Sequence, residues 1–487
     1  MKHGKVYLVG AGPGDIGLIT VKGLEAIRRA EVILYDRLVN PKLLEFANND
    51  CELIYGGKLP DRHILRQETI NELLISKALE GKIVVRLKGG DPGVFGRVGE
   101  EAAGLAENGI PFEMVPGITS GIAAPMYAGI PVTHREYGGS FAIVTAHDKS
   151  KDGKPNLDWT SLAKGIDTIA FYMGVANLPH ICENLVKHGK SLDTPVILIQ
   201  WGTLGRQKTL EGTLSTIAQK VKDAKFSNPA ITLVGDVVSI RGKINWFEKK
   251  PLFGRQILLA RTGTEKSALA AELREQGADV MEYPKWKREA APVKEQILDR
   301  IDSYEKILFG SPESVKEFFE LLIGRSMDIR KIKAELFASS IKSKKALNER
   351  GFSAEIVDKM NSTGNLLIIG DNTVESNEQY LMSQYGEFDM FQTSQKQLDE
   401  QFIPIFLRTL EEVKLDTIVF PSSASVQQFI EGLKTTRLSE QEVIKDLKVI
   451  CMGNHTYEAA IVNGLKPNGM PSSPTYEALV DFLVNQE

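Results

Sequence analysis

The chain has 487 residues, more than one hydrophobic core ordinarily serves, so at least two folding units are expected. Hydrophobic residues make up 42% and charged residues 25%, proportions ordinary for a soluble globular protein. A net charge of −4 supplies no overall field for nucleic acid or an anionic membrane, so any anionic ligand must meet a local cluster of Arg, Lys and His.

The opening MKHGKVYLVGAG reads as a strand running into a glycine turn, not as a charged head with an apolar signal core. Apolar runs such as Gly117–Val132, broken by Pro125 and Pro131, stop short of a membrane span. Cys51, Cys182 and Cys451 stand far apart without a CxxC pair, which argues against a disulfide framework or zinc ribbon and fits a reducing compartment. The His residues lack ligand spacing, so no metal is expected, and the expected location is the cytoplasm.

In chain order, short buried strands are predicted at Val6–Val9, Val32–Tyr35, Ile83–Leu87, Phe112–Val115, Ala142–Thr145, Thr168–Tyr172, Val196–Gln200 and Ile231–Val234. Helical stretches such as Thr20–Arg29, Gln67–Glu80 and Glu100–Asn108 lie between several of them, giving α/β sheets with helices on their faces. Charge, Pro and Gly cluster at Asn245–Arg255, which marks a boundary before a second α/β system that starts at Ile257–Ala260. That system carries a weak duplication. Ser311, Ser314, Val315 and Phe318 recur as Ser422, Ser425, Val426 and Phe429, while Ser343 and Gly351 recur as Thr456 and Gly464. Two similar lobes explain this; the alternative is a shared preference of helix starts for Ser and Thr caps.

VYLVGAGPGD places Gly10, Gly12 and Gly14 directly after a strand, with Asp36 at the end of the next strand. The pattern is close to a dinucleotide-binding βαβ unit, so an NAD(P)-dependent oxidoreductase is one reading. In the GxGxxG form, however, Asp15 stands where the third glycine belongs, and a carboxylate there would repel a pyrophosphate at the helix start. Asp15 suits an N-cap that favours a neutral or cationic ligand, and S-adenosylmethionine carries a sulfonium and no phosphate.

Further loops follow in RLKGGDPGVFGR (Arg86–Arg97), VPGITSGIAAPMYAGIPVTHR (Val115–Arg135) and NPAITLVGDVV (Asn228–Val238). Together with LYDRLV, FYMG and WGT, over about residues 4–247, these motifs resemble the uroporphyrinogen III C-methyltransferase family of tetrapyrrole methylases. The resemblance implies a two-lobed methylase fold (lobes about 1–135 and 136–247) that methylates uroporphyrinogen III twice to precorrin-2, the branch point to sirohaem and cobalamin. It places Pro13, Gly89, Gly90, Asp91, Val94, Thr119, Ser120, Met173 and Gly202 around S-adenosylmethionine, with S-adenosylhomocysteine as product. It suggests Asp36 as proton acceptor and Lys58 as proton donor, and a homodimer formed through this half.

A carboxylate in a partly dry cleft suits proton removal after a pyrrole carbon attacks the methyl group. Arg37, Arg97, His134 and Arg135 sit beside the motifs and suit the acetate and propionate groups of the substrate. Each has a plainer alternative: an ion pair with a neighbour for Arg37 and Arg97, a core or cap role for His134, core packing for Met173, a solvated loop for Lys58. One departure is Thr145-Ala146-His147, where the family has Gly in the middle; Ala does not readily take a positive φ.

ILLARTGTEKSALAAELREQGADVMEYP (Ile257–Pro284), FPSSASVQQFIEGL (Phe420–Leu433) and MGNHTYEAAIVNGL (Met452–Leu465) resemble uroporphyrinogen III synthase over about residues 252–487. The resemblance implies a linker at 248–255 and two flavodoxin-like lobes, one of about 256–286 plus 395–487 and one of about 287–394. The implied reaction is cyclisation of hydroxymethylbilane, in which shaping a flexible polyanion matters more than a nucleophile. Ser422, Ser423 and Thr456 match positions that would donate to substrate carboxylates, with helix capping as the alternative. Phe391 stands where the family has a Tyr, and Ser343 where the other lobe would carry its Thr, so a non-catalytic binding domain competes with the synthase reading.

Overall fold

The computed structural model describes residues 4–57, 67–147, 153–360, 364–436 and 438–485. The chain forms two compact units, one of Met1–Arg261, Lys266–Tyr283 and Ile403–Glu487 and one of Thr262–Glu265 and Pro284–Phe402.

The first unit opens with a five-stranded parallel sheet of β1 (Lys5–Gly10), β2 (Val32–Tyr35), β3 (Glu52–Tyr55), β4 (Ile83–Lys88) and β5 (Phe112–Val115), in the order β3-β2-β4-β1-β5. Its inner strands are near-continuous apolar runs because helices cover both faces. Val6, Leu8, Ile33, Val85 and Leu87 are all fully buried. Helix Val21–Arg29 starts where Thr20 accepts from the Gly23 amide, buries Ala26 and Ile27, and ends in Arg28 and Arg29 against the negative end of its dipole.

A second, mixed sheet holds β6 (Phe141–Thr145), β7 (Thr168–Tyr172), β8 (Pro195–Gln200), β9 (Lys208–Thr213) and β10 (Ala230–Val234) in the order β6-β7-β10-β8-β9. All eight predicted strands of this half are present. The two that prediction lacked, β3 and β9, are half-buried edge strands without a full apolar run. The two sheets are linked through helix Ser120–Tyr127, whose Ala124 packs with Ile197 and Leu233 of the second sheet.

The same unit contains a parallel sheet of β11 (Gln256–Ala260), β12 (Asp279–Tyr283), β19 (Thr417–Phe420) and β20 (Lys448–Cys451), ordered β12-β11-β19-β20. The second unit is a six-stranded sheet of β13 (Trp286–Ala290), β14 (Lys306–Phe309), β15 (Glu335–Ala338), β16 (Ala354–Ile356), β17 (Leu366–Asp371) and β18 (Asp389–Leu398). Its order is β13-β18-β17-β14-β15-β16.

The sequence duplication corresponds to a structural repeat. Helices Pro312–Gly324 and Ser423–Lys434 follow β14 and β19, and their caps Ser311 and Ser422 share one backbone conformation (φ −155° and −159°). Val315, Phe318, Val426 and Phe429 are fully buried at matching places. Gly351 and Gly464 end the next helix of each lobe at φ 84° and 80°, a left-handed conformation that favours glycine.

Candidate active site at the strand ends of the N-terminal half

In the first sheet β4, β1 and β5 are adjacent and parallel, so the loops that leave them emerge at one edge. Those loops meet backbone to backbone. A Cβ on Gly117 would fall 2.3 Å from the Gly90 carbonyl oxygen, and one on Gly10 would fall 2.6 Å from the Gly117 Cα. Gly12 and Gly90 exchange two backbone hydrogen bonds of 3.1 and 2.7 Å. Asp91 fixes the third loop: its carboxylate accepts from the Gly93 amide at 2.7 Å and the Gly117 amide at 2.9 Å.

The second sheet contributes loops from the other side. The Tyr172 hydroxyl, at the end of β7, lies 2.5 Å from Thr119 Oγ1 and accepts from the Gly121 amide. The loop after β8 comes as close: a Cβ on Gly202 would sit 2.4 Å from Ala124 Cβ, and the Thr203 hydroxyl accepts from the Asp15 amide at 2.9 Å. Asp15 caps the turn at Ile16–Leu18, as its position predicts, and also accepts from the Tyr127 hydroxyl at 2.6 Å. The structure thus brings Gly90, Asp91, Thr119, Gly202 and the Pro13 turn together, with Gly89, Val94, Ser120 and Met173 on the same loops.

Two features mark this place as built for a ligand. Among the described residues seven non-glycine residues have positive φ, and five of them (Phe95, Arg97, Met173, Trp201 and Thr203) lie on these loops. Backbone in that region costs free energy and concentrates at ligand clamps. Phe95, Ile118 and Met173 also expose 37–44% of their surface here, apolar area that folding alone leaves uncovered. Met173 is therefore not core packing. The cradle offers backbone groups, hydroxyls, apolar surface and the carboxylates of Asp15 and Asp91, a set that fits a cationic, phosphate-free cofactor better than a dinucleotide.

Asp36 follows β2 one strand away. Its carboxylate accepts from Arg86 Nη2 at 2.6 Å, and Arg86 also binds Glu101 through Nε at 3.1 Å and the Leu34 carbonyl at 3.4 Å. Glu101 Oε1 takes two more donors, Lys88 at 2.7 Å and Gln67 at 3.1 Å. Arg86 and Glu101 side chains are 2% and 0% exposed, whereas Asp36 is 32% exposed. Burial, and then the neighbouring Arg86 charge, lower the Lys88 pKa, against the opposing pull of Glu101. Two cations, Arg86 and Lys88, thus balance the two carboxylates of Glu101 and Asp36, and Arg86 holds the Asp36 carboxylate in place. Sequence reasoning missed Arg86, Lys88 and Glu101 here, as it missed Tyr172 and Thr203; the signal was two basic residues inside the buried strand IVVRLK.

The other expected residues divide. Lys58 lies outside the described residues. Arg37 donates to Glu412 at 3.3 Å, and Arg97 forms an ion pair with Glu100 one helical turn away. His134 accepts from the Glu136 amide at 3.1 Å in a local turn, and Arg135 is exposed. Ala146 is buried and is not among the positive-φ residues, so the replacement of Gly there needs no altered turn. In the C-terminal half Ser422 is the N-cap of its helix within a reciprocal capping box with Ser425, Ser423 begins that helix, and Thr456 is buried in helix Asn454–Val462, whose cap is Gly453. Phe391 packs in a closed core against Phe318, so a missing hydroxyl there removes nothing from a cleft.

Residues 5–218 match the family of tetrapyrrole (corrin/porphyrin) methylases, and residues 267–481 match uroporphyrinogen-III synthase HemD. The chain is 48% identical over 454 residues to a uroporphyrinogen-III C-methyltransferase of Bacillus subtilis, covering 93% of this chain and 92% of that protein. It is 35% identical over 503 residues to the porphyrin biosynthesis protein HemD of Ruminiclostridium josui, covering 99% and 98%. A uroporphyrin-III C-methyl transferase from Thermus thermophilus, solved in complex with S-adenyl homocysteine, is 36% identical over 49% of this chain and all of that one, with a TM-score of 0.42. Among the described residues no helix is long and apolar enough to cross a membrane. The chain belongs to the uroporphyrinogen-III C-methyltransferases of the tetrapyrrole methylase family, and carries behind that half a domain of the uroporphyrinogen-III synthase family.

Proposed function

We propose that residues 1–247 methylate uroporphyrinogen III twice to give precorrin-2, and that residues 256–487 cyclise hydroxymethylbilane to the uroporphyrinogen III that the first half consumes. The observation that carries the first reading is the convergence of the Gly10, Gly90 and Gly117 loops one strand away from an Asp36 held by Arg86. S-adenosylmethionine, when bound, supplies an electrophilic methyl group. Pro13, Gly89, Gly90, Asp91, Val94, Thr119, Ser120, Met173 and Gly202 hold it, with Asp15 and Asp91 favouring its cation. Asp36 takes the proton lost from the methylated pyrrole, and Lys58 donates one. Positioning two large partners in one cleft supplies much of the acceleration. Arg37, Arg97, His134 and Arg135 bind substrate carboxylates; the ion pair of Arg97 with Glu100 is exposed and is easily exchanged for one.

In the C-terminal half Ser422, Ser423 and Thr456 serve the polyanion. A second reading, a non-catalytic domain, has support in the occupation of Ser422 by capping and in the burial of Thr456. The protein acts in the cytoplasm as a homodimer formed through its methyltransferase half, without nucleic acid or membrane as a partner. Anaerobic incubation with S-adenosylmethionine and either uroporphyrinogen III or hydroxymethylbilane, read by mass, tests both activities. Two added methyl groups from both substrates establish the bifunctional enzyme. Methylation of uroporphyrinogen III alone leaves the C-terminal half as the non-catalytic domain, and methylation of neither refutes the proposal.

A further inference from the structure

Helix Ile403–Glu412 belongs by sequence to the synthase-like half, yet it lies against the segment that carries Asp36. The Arg408 guanidinium sits 3.8 Å from the centroid of the Tyr55 ring and 5.5 Å from that of Tyr35. Tyr35 and Tyr55 are register partners on β2 and β3, with rings 5.5 Å apart and tilted by 50°, so they form an aromatic pair beside this cation. Four positions further along the same helix, one turn away, Glu412 accepts from Arg37 Nη1 at 3.3 Å. The pair borders the Asp36 carboxylate: a Cβ on Gly56, next to Tyr55, would stand 3.6 Å from Asp36 Oδ1.

The charges at this border are unequal. Two guanidinium groups, Arg37 and Arg408, stand by Glu412, while the Asp36 carboxylate at the same border is taken by Arg86. Among the described residues Arg408 has no ion-pair partner. The bond from Arg37 to Glu412 is a single one, and the Arg37 side chain is 42% exposed, so it is weak and open to exchange. The Tyr55 hydroxyl is buried, and among the described residues it has no hydrogen-bond partner. The Arg408 guanidinium also meets the Tyr35 side chain in a hydrogen bond, and the rest of its fork suits a planar anion.

We propose that Arg37 and Arg408 form a carboxylate subsite beside Asp36, assembled from both halves of the chain, in which Glu412 is the internal occupant that a carboxylate of the tetrapyrrole displaces. This rests on the methyltransferase reading, because uroporphyrinogen carries an acetate and a propionate on every pyrrole. Arg408 is then a specificity-determining residue for methyl transfer contributed by the synthase-like half. Glu412 holds Arg37 in place until substrate arrives and rejects ligands that lack a competing anion.

The test uses the full chain with Arg408→Ala, Arg408→Lys and Glu412→Gln, measuring KM and kcat for uroporphyrinogen III and the affinity for S-adenosylhomocysteine. Arg408→Ala is expected to raise KM about five- to tenfold with kcat within about twofold, as loss of a charge-assisted contact to substrate requires. Arg408→Lys recovers part of that loss, since it restores charge but not the fork. Glu412→Gln lowers KM about two- to threefold at low salt, and added salt erases the gain. S-adenosylhomocysteine affinity stays unchanged in all three. Unchanged KM in Arg408→Ala and Glu412→Gln overturns the proposal, as does a change confined to the thermal midpoint. If Arg408→Ala does not fold, the direction of the Glu412→Gln effect decides. A native chain that methylates nothing refutes the methyltransferase reading instead, before any variant is compared.

Discussion

The N-terminal and C-terminal halves use the same kind of residue for opposite purposes. In the N-terminal half the loops after the strands are glycine, and their backbones approach so closely that no side chain fits between Gly10, Gly90 and Gly117. The polar groups there, such as Asp91 and Thr119, brace one loop against another and leave apolar surface open. In the C-terminal half the corresponding strand ends carry serine, and the hydroxyls of Ser311, Ser340 and Ser422 are spent on the first turn of the helix that follows. Strand-end polarity therefore marks a ligand site only where the backbone has no local use for it.

Arg86→Met should break the contrast most severely. It leaves Glu101 buried with one fewer cation and releases Asp36, so stability falls by about 4 kcal/mol and kcat by about a hundredfold. Denaturant unfolding and single-turnover methylation read the two effects. If kcat survives in the folded fraction, the orientation of Asp36 does not matter.

Glu282→Gln probes the place where the halves are charged against each other. Glu282 is 5% exposed and is paired with Lys42, Arg274 and Arg261. Burial alone would raise its pKa, but these three cations outweigh burial and hold it down at about 2, against 4.5 for the ordinary group. The folded value is the lower one, so the stabilisation is present in full above 4.5 and fades as pH falls toward 2. The substitution should cost about 3 kcal/mol near neutrality and progressively less in acid, measured as the gap between native and variant unfolding curves.

Gly117→Ala asks whether the cradle tolerates one methyl group. Backbone, not a flexible side chain, faces the new Cβ at 2.3 Å, so about 2 kcal/mol of overpacking is expected, together with at least about a tenfold loss of S-adenosylhomocysteine affinity by calorimetry. Ser422→Ala is the smallest change. Loss of the cap costs about 1 kcal/mol, and a cyclisation rate that falls beyond the folded fraction would show that the hydroxyl also serves substrate.

The sheets were legible because parallel strands buried on both faces read as apolar runs, as VILY and IVV do. The loops were legible because several long glycine motifs at successive strand ends resemble those of one family; a single glycine turn can equally just close a tight strand–helix link. Edge strand β9, KTLEGT, was not, since its pattern is half polar. Arg86 was quoted within a motif without its role, which depends on Glu101 arriving from a later helix. The bond from Arg37 to Glu412 joins residues 375 positions apart and has no local signature at all.

The third sheet of the first unit has an order of assembly imposed by the ribosome. β11 is made early, yet the strand beside it, β19, comes later: Gln256 donates to Asp416 across a separation of 160 residues. Without β19, the pair of β11 and β12 would have an unpaired apolar edge, Ile257 to Ala260, of the kind that recruits foreign strands. Residues 284–402 emerge as the other compact unit during that interval. A nascent chain stalled anywhere before residue 420 would lack part of the strand that pairs with that edge, so the synthesis of β19 sets when the edge can be covered.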